Sequence, residues 1–259
     1  MFYIDHDGIP LGQFQAFARK KGIAHFISTR AGGLSEGPFE SLNLSLNLND
    51  PRALQNRERL AAALGITPGQ LKFARQCHSD HIQAIRTLED QPGEADAIIT
   101  ALPGAAIAVL VADCVPVLLY DEKRRAVAAV HAGWRGTVKK IVSKTIRRMK
   151  EEFNSAPSDI LVGIGPSISA ERYEVGEEVI EQVKEVFDGG AGLLKEGKAP
   201  GKAYFDLWEC NKRQALEEGV PESQIEIAGV CTFSNPRLFF SARKLGPVSG
   251  RFAAGIMLK

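Results

Sequence analysis

The chain has 259 residues, of which 44% are hydrophobic and 24% are charged. These proportions are typical of a globular protein and argue against a collagen-like, coiled-coil or disordered chain. The 32 Lys and Arg residues balance 31 Asp and Glu residues, so no overall basic charge indicates a nucleic-acid partner.

The targeting and cysteine signals favour a cytoplasmic protein without a membrane partner. Asp5 and Asp7 do not fit a signal peptide. The most apolar stretch, residues 105–120, is interrupted by Asp113 and Pro116 and is shorter than the ~20 residues of a membrane span. Four cysteines without a C-x-x-C pair are too sparse for a disulfide scaffold. We therefore expect reduced thiols, and a functional cysteine should be a ligand or a nucleophile.

The first half of the chain predicts one strong helix among short strands. Asp50 as N-cap and Pro51 at the first helical position open the helix, and Gly65 ends it. Alternating or apolar runs predict strands at residues 23–30, 71–76, 82–87, 106–112, 115–120 and 126–130.

The second half predicts three helices and three strands. Apolar spacing predicts helices at residues 138–153, 174–187 and 206–218, the last capped by Asp206. Strands are predicted at residues 160–164, 225–230 and 251–258. Short strands mixed with several helices predict an α+β (mixed α/β) fold. No repeat or long linker divides the chain, so we predict a single domain over residues 1–259.

Three residues at predicted turns could hold one metal ion. His78 lies in a polar turn, Cys114 lies between two apolar strands, and His131 ends a buried strand. Two imidazoles and a thiolate suit zinc, and three protein ligands leave a position open for water or substrate. The spacing matches no standard local zinc signature. On the residues alone, a buried core thiol at Cys114 and a strand-end histidine at His131 are the favoured explanation.

Glycine-rich and basic turns are the other candidate sites. In the segment HAGWRG, residues 131–136, Arg135 and backbone amides could bind an anion such as phosphate, or the glycines could serve a tight turn only. Asn43 could contact a ligand or form an Asx-turn. Arg57 lies in the first predicted helix, where a solvated position is usual. Phe240 and Arg243 could form a base-stacking wall and an anion clamp, or a core aromatic and a surface cation.

Taken together, these motifs resemble the YfiH/laccase-domain family. The matching motifs are residues 29–35 (TRAGGLS), 41–44 (SLNL), 56–57 (NR), 76–78 (QCH), 95–97 (ADA), 112–118 (ADCVPVL), 131–136 (HAGWRG), 165–168 (GPSI), 173–176 (YEVG), 231–232 (CT), 239–241 (FFS) and 250–251 (GR). They span nearly the whole chain in one order. The resemblance implies a YfiH-like arrangement of mixed β-sheets flanked by helices.

The resemblance implies a function and a set of site residues. The family is described both as polyphenol oxidases and as zinc-dependent enzymes that phosphorolyse adenosine, inosine, guanosine and methylthioadenosine and deaminate adenosine. Its two-histidine, one-cysteine metal site carries over to His78, Cys114 and His131. On this resemblance we expect purine nucleosides and phosphate as small-molecule partners. The expected substrate-binding residues are Asn43, Arg57, Gln76, Arg135, Phe240 and Arg243.

Four positions depart from the family pattern. On either side of His78, Cys77 replaces an aliphatic residue and Ser79 replaces a glycine. Ala242 and Lys244 replace an aromatic residue and an arginine near the C-terminus. The last two changes affect the expected contacts to base or phosphate and leave the metal ligands intact.

The roles of the neighbouring residues follow as hypotheses. For deamination, Asp113 is the candidate acid/base beside Cys114, with His81 in reserve; alternatively Asp113 orients a metal-binding histidine. For phosphorolysis, Arg135 or Arg243 and the metal would hold the phosphate that attacks C1′.

Three other functions compete with this interpretation. The five histidines are too few for a multinuclear copper centre, although Cu²⁺ could occupy the zinc ligands in vitro and give weak polyphenol oxidation. A cysteine hydrolase would use Cys114 as nucleophile and His131 as base. A non-catalytic binding protein is the third. The sequence predicts no oligomeric state.

Overall fold

The computed structural model describes residues 1–259 and contains fifteen strands and seven α-helices. The strands are β1 Phe2–His6, β2 Ile9–Gln13, β3 Ile23–Ser28, β4 Leu71–Phe73, β5 Ile82–Ile85, β6 Ala97–Thr100, β7 Ala106–Val111, β8 Val115–Asp121, β9 Ala126–Ala132, β10 Ile160–Ile164, β11 Glu174–Val175, β12 Leu194–Glu196, β13 Ala203–Phe205, β14 Ile225–Ile227 and β15 Phe252–Leu258. The helices are α1 Gln15–Ala18, α2 Ala53–Ala63, α3 Trp134–Val138, α4 Ile141–Phe153, α5 Glu177–Val186, α6 Leu207–Glu217 and α7 Ala242–Leu245.

Two six-stranded sheets form the centre of the molecule. The first sheet has the order β1-β2-β3-β15-β7-β4, and the second has the order β14-β10-β8-β9-β6-β5. Most neighbours are antiparallel, whereas β4–β7, β5–β6 and β10–β14 are parallel. A small third sheet has the order β11-β13-β12. The predicted mixed α/β fold is therefore confirmed.

The apolar residues divide into a shared core between the sheets and an outer core on each side. The shared core includes Ile107 and Val109 of β7 together with Leu118 of β8. On the outer face of the first sheet, Leu60 of α2 packs with the apolar residues of that sheet. On the outer face of the second sheet, α4 packs over β9 and α6 packs over β10. The result is a helix–sheet–sheet–helix order of layers.

Two predicted helices begin differently in the structure. The helix predicted at residues 138–153 is α4, which begins only at Ile141 because Lys140 before it takes a left-handed conformation with φ 59°. The short helix α3 precedes it and ends at Val138. The helix predicted from residue 174 begins at Glu177, because residues 174–175 pair with β13 instead. Local spacing does not report this long-range pairing.

The two predicted helix caps had different outcomes. Asp206 caps α6 as predicted, and its side chain accepts a 3.0 Å hydrogen bond from the Glu209 amide. The Asp50 cap was wrong, since Arg52 occupies the N-cap position of α2. The Asp50 carboxylate accepts hydrogen bonds from the Arg52 amide (3.0 Å) and from the side chains of Ser35 (2.6 Å) and Asn43 (2.7 Å). Asp50 therefore joins the helix start to the preceding loop.

Most predicted strands exist, but several are shorter. The strands predicted at residues 71–76, 82–87 and 225–230 end at Phe73, Ile85 and Ile227. Strands β1, β2, β6, β12 and β13 were not predicted, because they are short, exposed or buried without alternation. No helix has the length and apolar character needed to cross a bilayer.

His25 joins β3 to the start of α1 inside the shared core. Its side chain is buried, and Nε2 accepts a 2.8 Å hydrogen bond from the Phe14 amide. Its ring stacks on Phe14 with centroids 6.0 Å apart. Burial lowers the pKa of His25 to about 4, despite the opposing effect of Glu226. The folded protein therefore holds this imidazole neutral.

We predict that His25 makes the protein less stable in mild acid. The unfolded chain binds a proton near pH 6.5 and the folded chain only near pH 4, so stability is lost as the pH falls through this window. Between about pH 7.5 and about pH 5 the loss is about 2 kcal/mol. Urea unfolding of wild type and His25→Gln at both values measures it, because Gln accepts the same amide without titrating. An equal pH-dependent loss in both proteins would contradict the prediction.

Candidate metal centre and substrate cavity

The three predicted ligands meet where the chain crosses from one sheet to the other. Strand β7 belongs to the first sheet and β8 to the second, and Cys114 lies in the three-residue connection between them. His78 follows β4, the neighbour of β7, and His131 lies on β9, the neighbour of β8. The donor atoms of the three residues lie within 4.8 Å of one another. The place where the two sheets meet, which we call the sheet seam, therefore brings together side chains from three separate segments.

The surroundings of the ligands fit a metal ion. A Cβ built at Gly133 would lie 3.0 Å from Cys114 Sγ and 3.4 Å from His78 Cδ2, so a side chain there would fill the space beside the donors. The His78 and His131 rings meet edge to face, with centroids 5.0 Å apart. Two imidazoles and one thiolate are a donor set that binds zinc or copper. Three ligands leave one position for water or substrate.

Electrostatics favour the ligand form of the thiol. Burial opposes ionisation of Cys114, but the charge of His131 and hydrogen bonds from both histidines lower its pKa. Burial likewise opposes protonation of His131, whereas Cys114 and Asp96 raise its pKa. The thiolate is the form of cysteine that binds metals, so the lowered pKa of Cys114 prepares the site for a cation.

Asp96 is the important site residue that sequence reasoning missed. It is fully buried, and its Oδ1 lies 2.7 Å from His131 Nδ1. Burial raises the pKa of the Asp96 carboxyl, but hydrogen bonds from His131 and Ser79 outweigh it and keep that pKa well below its usual range. The carboxylate that contacts a histidine of the candidate metal centre is thus that of Asp96, whereas Asp113 contacts Thr232 and Arg243. The signal for Asp96 was the ADA motif, a carboxylate within an otherwise apolar segment.

A cavity of about 520 Å³ opens onto the three ligands. Its lining residues are Ser45, Leu46, Asn47, Leu48, Arg57, Phe73, Ala74, Arg75, Gln76, His78, Pro92, Leu110, Val111, Ala112, Cys114, His131, Ala242 and Arg251. The lining contains three arginines and no Asp or Glu. The cavity therefore favours an anionic ligand.

Two predicted substrate-binding residues line this cavity. Arg57 donates from Nε to the Leu44 carbonyl at 2.8 Å, and its guanidinium lies 4.3 Å from the Phe73 ring centroid. Burial lowers the pKa of Arg57 to about 10. The Gln76 amide exchanges hydrogen bonds of 2.8 and 2.7 Å with the backbone of Leu110. Arg57 thus keeps free donors, whereas Gln76 extends the edge of β4.

Two other predicted substrate-binding residues are fully buried outside the lining. Asn43 donates to Asp50 at 2.7 Å and accepts the Arg251 amide at 2.9 Å. Phe240 belongs to the shared core, with the guanidinium of Arg30 4.8 Å from its ring centroid. In this structure Asn43 supports the loop that carries Arg251, and Phe240 supports the core.

Arg135 and Arg243 also lie outside the cavity lining. Arg135 is half-exposed, with Nη2 3.5 Å from the Glu178 carboxylate. Arg243 donates to the Glu174 carbonyl at 2.9 Å, and its guanidinium lies 5.1 Å from the Tyr173 ring centroid. Both predicted phosphate clamps therefore already have protein partners.

The candidate acid/base residues do not line the cavity either. Asp113 accepts hydrogen bonds from the Thr232 hydroxyl at 2.6 Å and the Arg243 amide at 2.7 Å. These contacts tie the C-terminal segment to the sheet crossing. His81 is exposed, and its amide donates to the Ser79 hydroxyl at 3.2 Å.

Of the four departures from the family pattern, Cys77 and Ser79 flank His78, and Ala242 and Lys244 lie in α7. Cys77 is exposed, and the hydroxyl of Ser79 donates to Asp96 at 2.7 Å. Ala242 lines the cavity, whereas Lys244 lies over the Phe233 ring at 4.7 Å. Of the four, Ala242 is the one that borders the cavity, and Ser79 supports the metal centre.

We predict that Gly133→Ala weakens metal binding by about tenfold, because the new Cβ crowds Cys114 Sγ. The backbone at Gly133 (φ −69°, ψ 170°) accepts alanine without strain. The matched control is Gly69→Ala, where a Cβ meets nothing within 4 Å. Zinc affinity is measured by competition with a chromophoric chelator. Equal affinity of the Gly133→Ala and Gly69→Ala proteins would show that the space beside the donors is not needed.

Comparisons with known proteins show what this chain is similar to. Residues 24–259 match the family model described as multi-copper polyphenol oxidoreductase laccase. A purine nucleoside phosphorylase of Bacteroides thetaiotaomicron is 39% identical, covering 100% of this chain and 99% of that protein. The adenosine deaminase RL5 of an unknown prokaryote is 35% identical, over 92% of this chain and 95% of that protein.

A solved structure has the same fold. The YfiH hypothetical protein of Bacillus licheniformis superposes with a TM-score of 0.91 and 29% identity, covering 99% of each chain. The two relatives named above are enzymes, and this chain is also an enzyme. The resemblance inferred from the motifs is thereby confirmed, and the chain belongs to the YfiH/laccase-domain family.

Proposed function

We propose that the chain is a zinc-dependent purine nucleoside phosphorylase of the cytoplasm. Adenosine, inosine, guanosine and methylthioadenosine would react with phosphate to give the free base and the pentose 1-phosphate. One observation carries the proposal. The group of two histidines and one cysteine opens onto a cavity that is lined by three arginines and by no Asp or Glu. The relatives named purine nucleoside phosphorylase support the same substrate class.

The reaction needs an anionic nucleophile held beside the sugar. A phosphate oxygen forms a bond to C1′ while the C1′–N9 bond breaks, and the bond electrons leave with the purine, which takes up a proton. His78, Cys114 and His131 would hold zinc, which supplies positive charge for orienting phosphate and sugar oxygens. Arginine side chains of the cavity would bind the phosphate.

Arg57 and Arg251 are the residues that we propose for phosphate binding. Neither guanidinium forms an ion pair, whereas Arg75 at the cavity edge is 3.0 Å from Glu94. Arg251 donates to the backbone carbonyls of Pro247, Ser249 and Gly250, which fixes its position. Arginine suits phosphate because its planar donors match two oxygens at once. Arg135 and Arg243 become secondary candidates, because they lie outside the lining.

Deamination of adenosine is the secondary activity that we propose. One relative is named adenosine deaminase, which supports it. Zinc deaminases use a carboxylate next to the metal to move protons, and this cavity is lined by none. Both carboxylate oxygens of Asp113 accept hydrogen bonds from the protein, which favours a structural role for that residue. We therefore expect phosphorolysis to be the faster reaction.

The family description as a copper oxidase does not match the arrangement of the histidines. His78 and His131 belong to the one cluster of possible ligands, whereas His25 is hydrogen-bonded in the core. A multinuclear copper centre needs many more imidazoles. Copper bound at the same three ligands in vitro would explain weak oxidation of phenols.

The central test is phosphorolysis by the purified protein with and without metal. We predict that inosine plus phosphate gives hypoxanthine and ribose 1-phosphate, that chelation abolishes this, and that added Zn²⁺ restores it. Adenosine is run in parallel, with chromatography separating adenine from inosine. Turnover that survives chelation but not alkylation would instead support the cysteine hydrolase. No turnover with bound zinc would refute the proposed activity.

We predict that Arg57→Gln raises the KM for phosphate about 10–100-fold, because a charged hydrogen-bond donor is lost. The KM for inosine should change less than about twofold. Arg52→Gln is the matched control, since Arg52 is exposed at the start of the same helix. Steady-state kinetics with each substrate varied separately measure the effect. Unchanged phosphate KM, or equal changes for both substrates, would exclude Arg57 from the phosphate site.

A further inference from the structure

Asp96 connects the two segments that carry the histidine ligands. It lies directly before β6, which pairs with β9, and its carbonyl accepts the His131 amide at 2.7 Å. It is fully buried and does not line the cavity. Any influence of Asp96 on the reaction must therefore pass through the residues that it contacts.

The Asp96 carboxylate accepts hydrogen bonds from both segments. Oδ1 accepts from His131 Nδ1 at 2.7 Å and from the His78 amide at 3.1 Å. Oδ2 accepts from the amides of Cys77 (3.2 Å) and Ser79 (2.6 Å) and from the Ser79 hydroxyl (2.7 Å). The left-handed φ of 58° at His78 turns the successive amides toward one point. The carboxylate thus holds one histidine by its ring and the other by its backbone.

We infer that Asp96 is the positioning residue of the metal centre, which assembles the two histidine ligands before the ion binds. The bond to Nδ1 leaves Nε2 of His131 for the metal, and the three amides hold the His78 turn against it. The inference rests on the proposed metal-dependent function.

The partners of Asp96 specify a carboxylate and no other group of that size. Every partner is a hydrogen-bond donor, so the group between them must be acceptor only. An amide at this position would direct its N–H donors at other donors. Asp96→Asn therefore keeps the size of the side chain but loses hydrogen bonds either to the turn at residues 77–79 or to the His131 ring. Ser79→Ala removes one of the side-chain donors and leaves the remaining partners in place.

The test measures metal binding with metal alone and no nucleoside. Zinc affinity is determined by chelator competition, and ligand geometry by the visible absorption of the Co²⁺-loaded protein. The proteins are wild type, Asp96→Asn, Ser79→Ala and the control Asp121→Asn. Asp121 is also a buried carboxylate, and it accepts the amides of a turn between β8 and β9. Circular dichroism establishes which variants fold.

Asp96→Asn should weaken zinc binding by about 10–100-fold and alter the Co²⁺ spectrum. Ser79→Ala should weaken binding by a smaller factor, about threefold to tenfold, and Asp121→Asn should leave both readouts unchanged. A folded Asp96→Asn protein with wild-type affinity and spectrum would overturn the inference. If that variant does not fold, wild-type affinity in Ser79→Ala would overturn it. Because no turnover is measured, failure of phosphorolysis would not produce these outcomes.

Discussion

The short crossing between β7 and β8 is the constraint on which the site depends. Three residues carry the chain from the first central sheet to the second, and Asp113 in the middle takes a φ of 85°. The crossing places Cys114 at the seam of the two sheets. Strand β4 pairs with β7 and β9 pairs with β8. His78, which follows β4, and His131, near the end of β9, therefore both lie next to Cys114. The packing of the sheets therefore sets the separation of the donors.

The charges near the seam are arranged in two zones. On the protein side, the buried carboxylate of Asp96 is surrounded by donors and holds His131. On the cavity side, Arg57 and Arg251 are partly buried without carboxylate partners. A cation bound between the zones would meet a thiolate and two imidazoles, while an anion entering the cavity would meet guanidinium groups. We propose that the cation is zinc and that the anion is the phosphate that reacts with a purine nucleoside.

Parts of this arrangement follow from the sequence and parts do not. Helix α6 and strand β10 were predicted because their caps and apolar runs are local. The three metal ligands could be proposed from the sequence, but the residues alone favoured a core thiol and a strand-end histidine until the family resemblance was recognised. Their convergence depends on which strands pair, and that pairing joins residues 71–73 to residues 106–108 far along the chain.

The supporting residues were harder to predict for the same reason. Asp96 and Arg251 appear in the matching motifs, yet their roles depend on contacts across the fold. The sequence allowed Asn43 and Phe240 to contact substrate, whereas both side chains are fully buried in the structure. The left-handed conformations at His78 and Lys140 also lie outside what spacing predicts, because tertiary contacts hold them.

The proposed function depends on phosphate binding in the arginine-lined cavity next to the metal ligands. Phosphorus NMR of inorganic phosphate with the Co²⁺-loaded protein tests it most directly, because a paramagnetic ion speeds the relaxation of nearby nuclei. We predict strongly enhanced relaxation of the phosphate phosphorus with the wild-type protein and its loss in Arg57→Gln, although that variant still binds Co²⁺. Relaxation no faster than with the metal-free protein would contradict the claim.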